Sequence, residues 1–89
     1  MKKMKNFYVY MLQCSTGELY TGYTVNPEKR VEAHNKGKGS RFTKSRTPVK
    51  LVYSEKHKSR KEAMRRERQL KRKTRKDKME LISKRPPQL

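Results

Sequence analysis

Two short runs of aromatic and β-branched residues, Phe7-Tyr8-Val9-Tyr10-Met11-Leu12 and Leu19-Tyr20-Thr21-Gly22-Tyr23-Thr24-Val25, constrain this chain more than any other feature. Such runs read as β-strands. Between them lies Ser15-Thr16-Gly17. A three-residue hairpin loop needs a left-handed residue at its last position, and glycine adopts that conformation without strain. With Gly17 there, Cys14 pairs with Glu18, Leu12 with Tyr20 and Tyr10 with Gly22. Side chains alternate along a strand, so Tyr10 and Tyr20 share a face as diagonal neighbours within aromatic reach. Phe7, Val9, Met11, Leu19, Tyr23 and Val25 take the other face. The missing side chain at Gly22 leaves open space beside Tyr10.

Local signals place the remaining elements. Asn26-Pro27 starts a helix, with Asn as N-cap and Pro at the first helical position. It runs to about Asn35, and Gly37 is available to end it. Arg30 and His34 are four apart and share its surface. Lys36-Gly37-Lys38-Gly39-Ser40-Arg41 reads as a short basic glycine loop, followed by Phe42 and Thr43. The segment Pro48 to Glu55 holds a third strand, Val49-Lys50-Leu51-Val52-Tyr53. Ser59-Arg60-Lys61-Glu62 is a capping box that opens a second long helix. Ala63, Glu67 and Leu70 lie at i, i+4 and i+7 on it, along one stripe. Thr74 caps a last helix with Met79, Leu81 and Ile82 as its few apolar contacts. The order β-β-α-β-α-α predicts an α+β domain over residues 7–83, a small antiparallel three-stranded sheet flanked by helices. Residues 1–6 read as a basic lead and 84–89 as a frayed tail.

Charge narrows the function. The 89 residues carry 26 Lys and Arg against 8 Asp and Glu, a net charge of +18. Self-repulsion of that size destabilises a small domain unless a polyanion sits nearby. Leu, Ile, Val and Phe fall below the roughly 20% that accompanies disorder in highly charged chains; the ordered succession of strand, turn and cap signals argues against a disordered tail. No apolar run approaches the roughly 18 residues of a membrane span. Phe7 to Leu12 lacks the cleavage site of an export signal. The single Cys14 forms no disulfide framework, and cytoplasm is the expected compartment. The dense Lys/Arg run from Lys56 to Lys78 holds only Glu62, Glu67 and Asp77 as balancing acids. Nucleic acid is the expected partner. Lys36, Lys38, Arg41 and Lys44 around the glycine loop, and Arg65, Arg66, Arg68, Lys71 and Arg72 on the long helix, are the expected contacts.

A few residues carry chemistry. Glu67 interrupts an apolar stripe, and a buried carboxylate needs a cation or a metal; the simpler assignment is an ion pair with a nearby arginine. Glu62 is explained by its cap. Tyr10 and Tyr20 have an ordinary alternative as core residues with satisfied hydroxyls. Arg30 and His34 suit a phosphate site, because arginine grips phosphate through paired hydrogen bonds and histidine moves protons; the ordinary alternative is a solvated helix face.

Tyr8-Val9-Tyr10, followed ten residues later by Tyr20-Thr21-Gly22, resembles the two half-motifs that name the GIY-YIG family. Arg30 and His34 follow at the spacing of that family's first helix. Ala63-Met64-Arg65-Arg66-Glu67-Arg68-Gln69-Leu70-Lys71 resembles the helix that carries its metal-binding glutamate. Lys36-Gly37-Lys38-Gly39-Ser40-Arg41-Phe42-Thr43 and Thr47 to Glu55 resemble the small stand-alone bacterial members, the UPF0213-like branch. The likeness spans Tyr8 to about Ile82. It implies a GIY-YIG fold and a divalent-metal nuclease acting on DNA rather than RNA, with no small-molecule cofactor. Glu67 would hold Mg²⁺, Tyr10 or Tyr20 would position or deprotonate the attacking water, Arg30 would steady phosphate charge and His34 would assist proton transfer. Two departures are visible: Tyr8 stands where the family name has Gly, and Lys71 to Lys78 contains none of the asparagine that often follows the metal glutamate. The alternative is a nucleic-acid-binding module without turnover.

Overall fold

The computed structural model describes residues 5–84 and Pro87. Its elements are β1 (Phe7–Gln13), β2 (Leu19–Thr24), α1 (Pro27–Asn35), α2 (Arg41–Lys44), β3 (Lys50–His57), α3 (Arg60–Arg72) and α4 (Arg75–Lys84). The strands form one antiparallel sheet in the order β2-β1-β3. This is the expected α+β arrangement with one addition. The single-turn helix α2 occupies the end of the segment read as a glycine loop, because Ser40 caps it and accepts the Thr43 N–H. Residues 1–4 of the expected lead, and 85, 86, 88 and 89 of the expected tail, lie outside the described residues.

The hairpin follows its loop chemistry. Gly17 sits at φ 99°, the Cys14 N–H donates to the Glu18 carbonyl at 2.8 Å, and the register pairs Tyr10 with Gly22 and Leu12 with Tyr20. Strand β1 is central, and Tyr8 to Leu12 are buried without a break. Its two faces feed two cores. Val9 and Met11 pack with Tyr53, Ala63 and Leu70 under α3 and α4. Tyr10 and Leu12 pack with Cys14, Val49, Tyr20 and Val31 under α1. Full burial of Val9, Met11 and Leu12 stabilises the fold by roughly 1.5–3 kcal/mol each. Strand β3 departs from simple alternation. Met11 pairs with Tyr53 but Leu12 with Leu51, so Val52 is an extra residue in the ladder. The bulge puts Leu51 and Tyr53 into different cores, although they are two apart.

The helix ends also follow local chemistry. Asn26 accepts the Lys29 N–H at the start of α1. At its end Gly37 takes φ 78°, its N–H bonds the His34 carbonyl, and the Lys38 N–H bonds the Ala33 carbonyl. That is the paired closure of a Schellman cap. Ser59 and Thr74 cap α3 and α4 through the N–H groups of Glu62 and Asp77. One long-range clamp then holds α1 on the sheet. The Asn35 side chain donates to the Val49 carbonyl at 3.1 Å and accepts its N–H at 2.7 Å.

Val49 is buried, so Asn35→Ala strands a backbone donor and an acceptor away from water. The variant is expected to lose about 1–3 kcal/mol of stability. Urea denaturation checks this: the midpoint falls while the slope against denaturant stays unchanged.

Candidate active site

The site begins with a close approach. The Tyr10 ring crosses β2 at Gly22, where a Cβ would lie 2.7 Å from its hydroxyl oxygen. With glycine there, the Tyr10 hydroxyl reaches His34 Nε2 at 3.0 Å. His34 is fully buried, and its Nδ1 lies 2.7 Å from Thr43 Oγ1. The space around His34 also depends on a glycine. A Cβ on Gly39 would stand 2.1 Å from Nδ1. Tyr20 completes the aromatic group, with its ring centroid 6.4 Å from Tyr10 and 5.0 Å from His34.

Proton positions follow from burial. Burial raises the Tyr10 pKa to about 12, against the opposing influence of the Arg30 guanidinium. The phenol is therefore protonated at neutral pH. Burial and then the Arg30 charge lower the His34 pKa, which keeps the imidazole neutral. The Thr43 hydroxyl donates to the Ser40 carbonyl at 3.4 Å, so it accepts from Nδ1–H, and Nε2 is left to accept from the phenol.

Tyr10, Tyr20, Arg30 and Glu67 line one open cavity of about 340 Å³ beside Gly22. Arg30 donates from Nη2 to the Gly39 carbonyl at 3.3 Å, while its Nε is buried with no partner. Glu67 belongs to a helix that covers the other face of the sheet. Ala63 and Leu70 pack in the core of Val9 and Met11, on the face opposite Tyr10 and Tyr20. The stripe therefore does not face the two tyrosines. Strand β2 is at the sheet edge, and Glu67 reaches the cavity around it. Its carboxylate is not fully buried and pairs not with arginine but with Lys71, 3.6 Å away on the next turn.

The expected catalytic set is thus assembled, with His34 behind Tyr10 rather than on the cavity wall. The basic residues divide. Lys36, Lys38, Arg41, Lys44, Arg65, Arg68, Lys71 and Arg72 are exposed. Arg66 is not an outward contact. Its Nε donates to Glu55 Oε1 at 2.6 Å, and Tyr53 and His57 bond the same carboxylate. Burial would raise the Glu55 pKa, but those three donors hold it below the ordinary carboxylate value. Arg66 therefore ties α3 to β3. Sequence reasoning missed Gly39 and Thr43 as site residues. Gly39 stood in the glycine loop, but nothing local showed that a histidine ring lay against it.

No group of three or more His, Cys, Asp or Glu side chains converges on a metal position among the described residues. Glu67 stands alone on the cavity wall. That fits Mg²⁺, which binds through one or two carboxylates together with substrate phosphates and water.

Comparison with known proteins agrees with this geometry. The family model described as the GIY-YIG catalytic domain matches residues 6–80. The chain belongs to the GIY-YIG family. Its GIY-YIG relatives include a UPF0213 protein of Staphylococcus haemolyticus, 49% identical over 82 residues, which are 92% of this chain and 100% of that one. The solution NMR structure of a UPF0213 protein from Bacillus halodurans superposes with a TM-score of 0.57 at 42% identity, covering 88% of this chain and 83% of that one. That of a protein from E. faecalis gives 0.61 at 38% identity, covering 93% and 88%. A GIY-YIG domain is a nuclease domain, and nucleic acid is the partner it implies. No described helix is long and apolar enough to cross a membrane.

The Tyr10 proton is held harder in the GIY-YIG fold than in the unfolded chain, where tyrosine titrates near pH 10. Its contribution to stability is complete below pH 10 and is lost as pH rises toward 12. Denaturation midpoints of wild type and Tyr10→Phe across pH 8–12 read this out. The difference between them is expected to shrink over the upper two pH units, whereas a constant difference refutes the assignment.

Proposed function

We propose that this protein is a Mg²⁺-dependent endonuclease that hydrolyses phosphodiester bonds of DNA. The observation that carries the reading is the cavity itself. It sets a guanidinium with an unpartnered buried nitrogen, a lone carboxylate and a phenol with a proton acceptor behind it around one opening. Such a set matches a phosphodiester and an attacking water. Arg30 binds the non-bridging oxygens through its unpartnered edge and stabilises the charge that grows on them. Tyr10 positions the water. A phenol with a raised pKa is a poor base alone, so His34 supplies the missing acceptor. As water attacks phosphorus and the P–O bond to the leaving sugar oxygen breaks, Tyr10 takes a water proton and passes its own to His34 Nε2, and the departing oxygen takes a proton from solvent. The Nδ1–H bond to Thr43 keeps the ring aligned throughout.

The lowered His34 pKa has a second consequence: the imidazolium formed beside Arg30 gives up its proton readily, which resets the site. Among the described residues Tyr20 has no hydrogen-bonding partner for its hydroxyl, so its place is the cavity wall, where it bounds the substrate. Glu67 would hold the metal ion, which when bound supplies Lewis acidity and clamps the phosphate charge. The exposed cations of α3 and the loop before α2 would hold the backbone on either side.

Glu67→Gln tests this reading. Mg²⁺-dependent cleavage of DNA is expected to disappear, while DNA affinity holds or rises because a negative charge facing phosphate is removed. Stability should change by no more than about 1 kcal/mol, since the Lys71 partner is exposed. A nicking assay with and without Mg²⁺, beside thermal melting, reads both. Wild type that cleaves no DNA with Mg²⁺, or that cleaves only RNA, overturns the proposal.

Backbone contacts also set a salt dependence. If about six phosphates are neutralised, affinity for DNA should fall by roughly 10³-fold between 50 and 200 mM salt, with little dependence on sequence. Fluorescence anisotropy across that range decides the point. An affinity indifferent to salt excludes this mode of binding.

A further inference from the structure

A second cleft lies across Tyr20 from the active-site cavity. Leu19, Tyr20 and Thr21 on the outer edge of β2, Phe42 of α2, Lys71 of α3 and Lys78 of α4 enclose about 250 Å³. Tyr20 lines both openings. One feature of this cleft stands out: Phe42 is a large aromatic left 38% exposed at the surface. Its ring is held firmly in that position. Tyr20 stacks beside it at 6.1 Å and 25°, and the Arg46 guanidinium lies 4.0 Å from its centroid. Arg46 is in turn fixed by Glu18 at 3.3 Å and by the Phe42 carbonyl at 2.7 Å.

Aromatic walls and two ammonium groups at the rim select the occupant by chemistry. A phosphate alone has no use for Phe42 and Leu19. A purely apolar ligand has no use for Lys71 and Lys78. A planar ring attached to phosphates uses both. We infer that this cleft receives one unstacked nucleobase of the strand whose phosphate occupies the Arg30–Glu67 cavity. The inference rests on the proposed nuclease reading and adds to it the form of the substrate. The base packs against the Tyr20–Phe42 pair. Lys78 meets the adjoining phosphate. Lys71, half-exposed at the rim, is shared with Glu67, so its stem swings aside to admit the base. In an intact duplex each base face is covered by its neighbours. A strand that is single, or opened at this nucleotide, is therefore preferred.

The test uses the full chain with Glu67→Gln, to prevent cleavage, and two probes of equal length and charge. One is a single-stranded oligothymidylate and the other is the same backbone with every base removed. By fluorescence anisotropy the intact strand is expected to bind about tenfold tighter or more, the range that stacking contributes per base. Phe42→Ala should abolish that difference, and Phe42→Trp should retain it. Equal affinity for the two probes, or unchanged discrimination in Phe42→Ala, overturns the inference. Cleavage by the wild type is scored separately. Cleavage without base discrimination removes the pocket and leaves the nuclease, whereas discrimination without cleavage on any DNA supports the pocket and removes the nuclease.

Discussion

The buried hydrogen-bond chain from Tyr10 through His34 to Thr43 is the contact on which the rest of this structure depends. Its members lie on β1, α1 and α2, and all are buried. A buried phenol or imidazole without a partner is costly, so each of these elements is held where its neighbour needs it. The chain in turn dictates two glycines. Gly22 clears the path for the Tyr10 hydroxyl, and Gly39 clears the space for the His34 ring. Both sit at negative φ or extended backbone rather than in the left-handed region, so each is required by close approach and not by backbone conformation. The same bonds that stabilise the packing of α1 and α2 also set the His34 tautomer. The packing of the fold and the buried hydrogen-bond chain are therefore one arrangement.

Around this centre the scarce acids serve structure and chemistry, and the cations mostly do not pair. Glu55 anchors α3 through Arg66, Glu18 fixes Arg46 beside Phe42, and Glu67 meets Lys71 at the cavity. With 8 acids for 26 Lys and Arg, most of the positive charge faces outward without compensation. Much of that charge lies along α3 and α4. Strand β2 is an open edge, and an open edge is ordinarily a hazard for unwanted pairing. Here it separates two recesses, one polar and one aromatic.

Much of the architecture was legible in the sequence because its determinants are local. Gly17 in a three-residue loop decides the hairpin register, and the register decides that Tyr10 and Tyr20 meet. Asn26, Ser59 and Thr74 announce helix starts through bonds to N–H groups three residues away. The spacing of Arg30 and His34 fixes their common side of α1. The GIY-YIG half-motifs then named the family. Periodicity left one thing open. The stripe Ala63-Glu67-Leu70 is real, but periodicity says only that positions share a helix face, not which face of the sheet that helix covers. The helix packs over Val9 and Met11, and Glu67 reaches Tyr10 only because β2 is the last strand.

By itself, the sequence determined the dihedral punctuation of the chain, the pairing of its first two strands and the demand for a polyanion, since each depends on neighbours in the chain or on summed charge. Only the tertiary structure decided the Val52 bulge that sorts Leu51 and Tyr53 into separate cores, the Asn35 clamp on Val49, the capture of Arg66 by Glu55, and the positions of Thr43 and Gly39 against His34. Each of these joins residues from different elements, or depends on how another strand or helix has packed. No local pattern encodes them, because the free energy that selects them arises only when the layers close and every buried donor must find an acceptor.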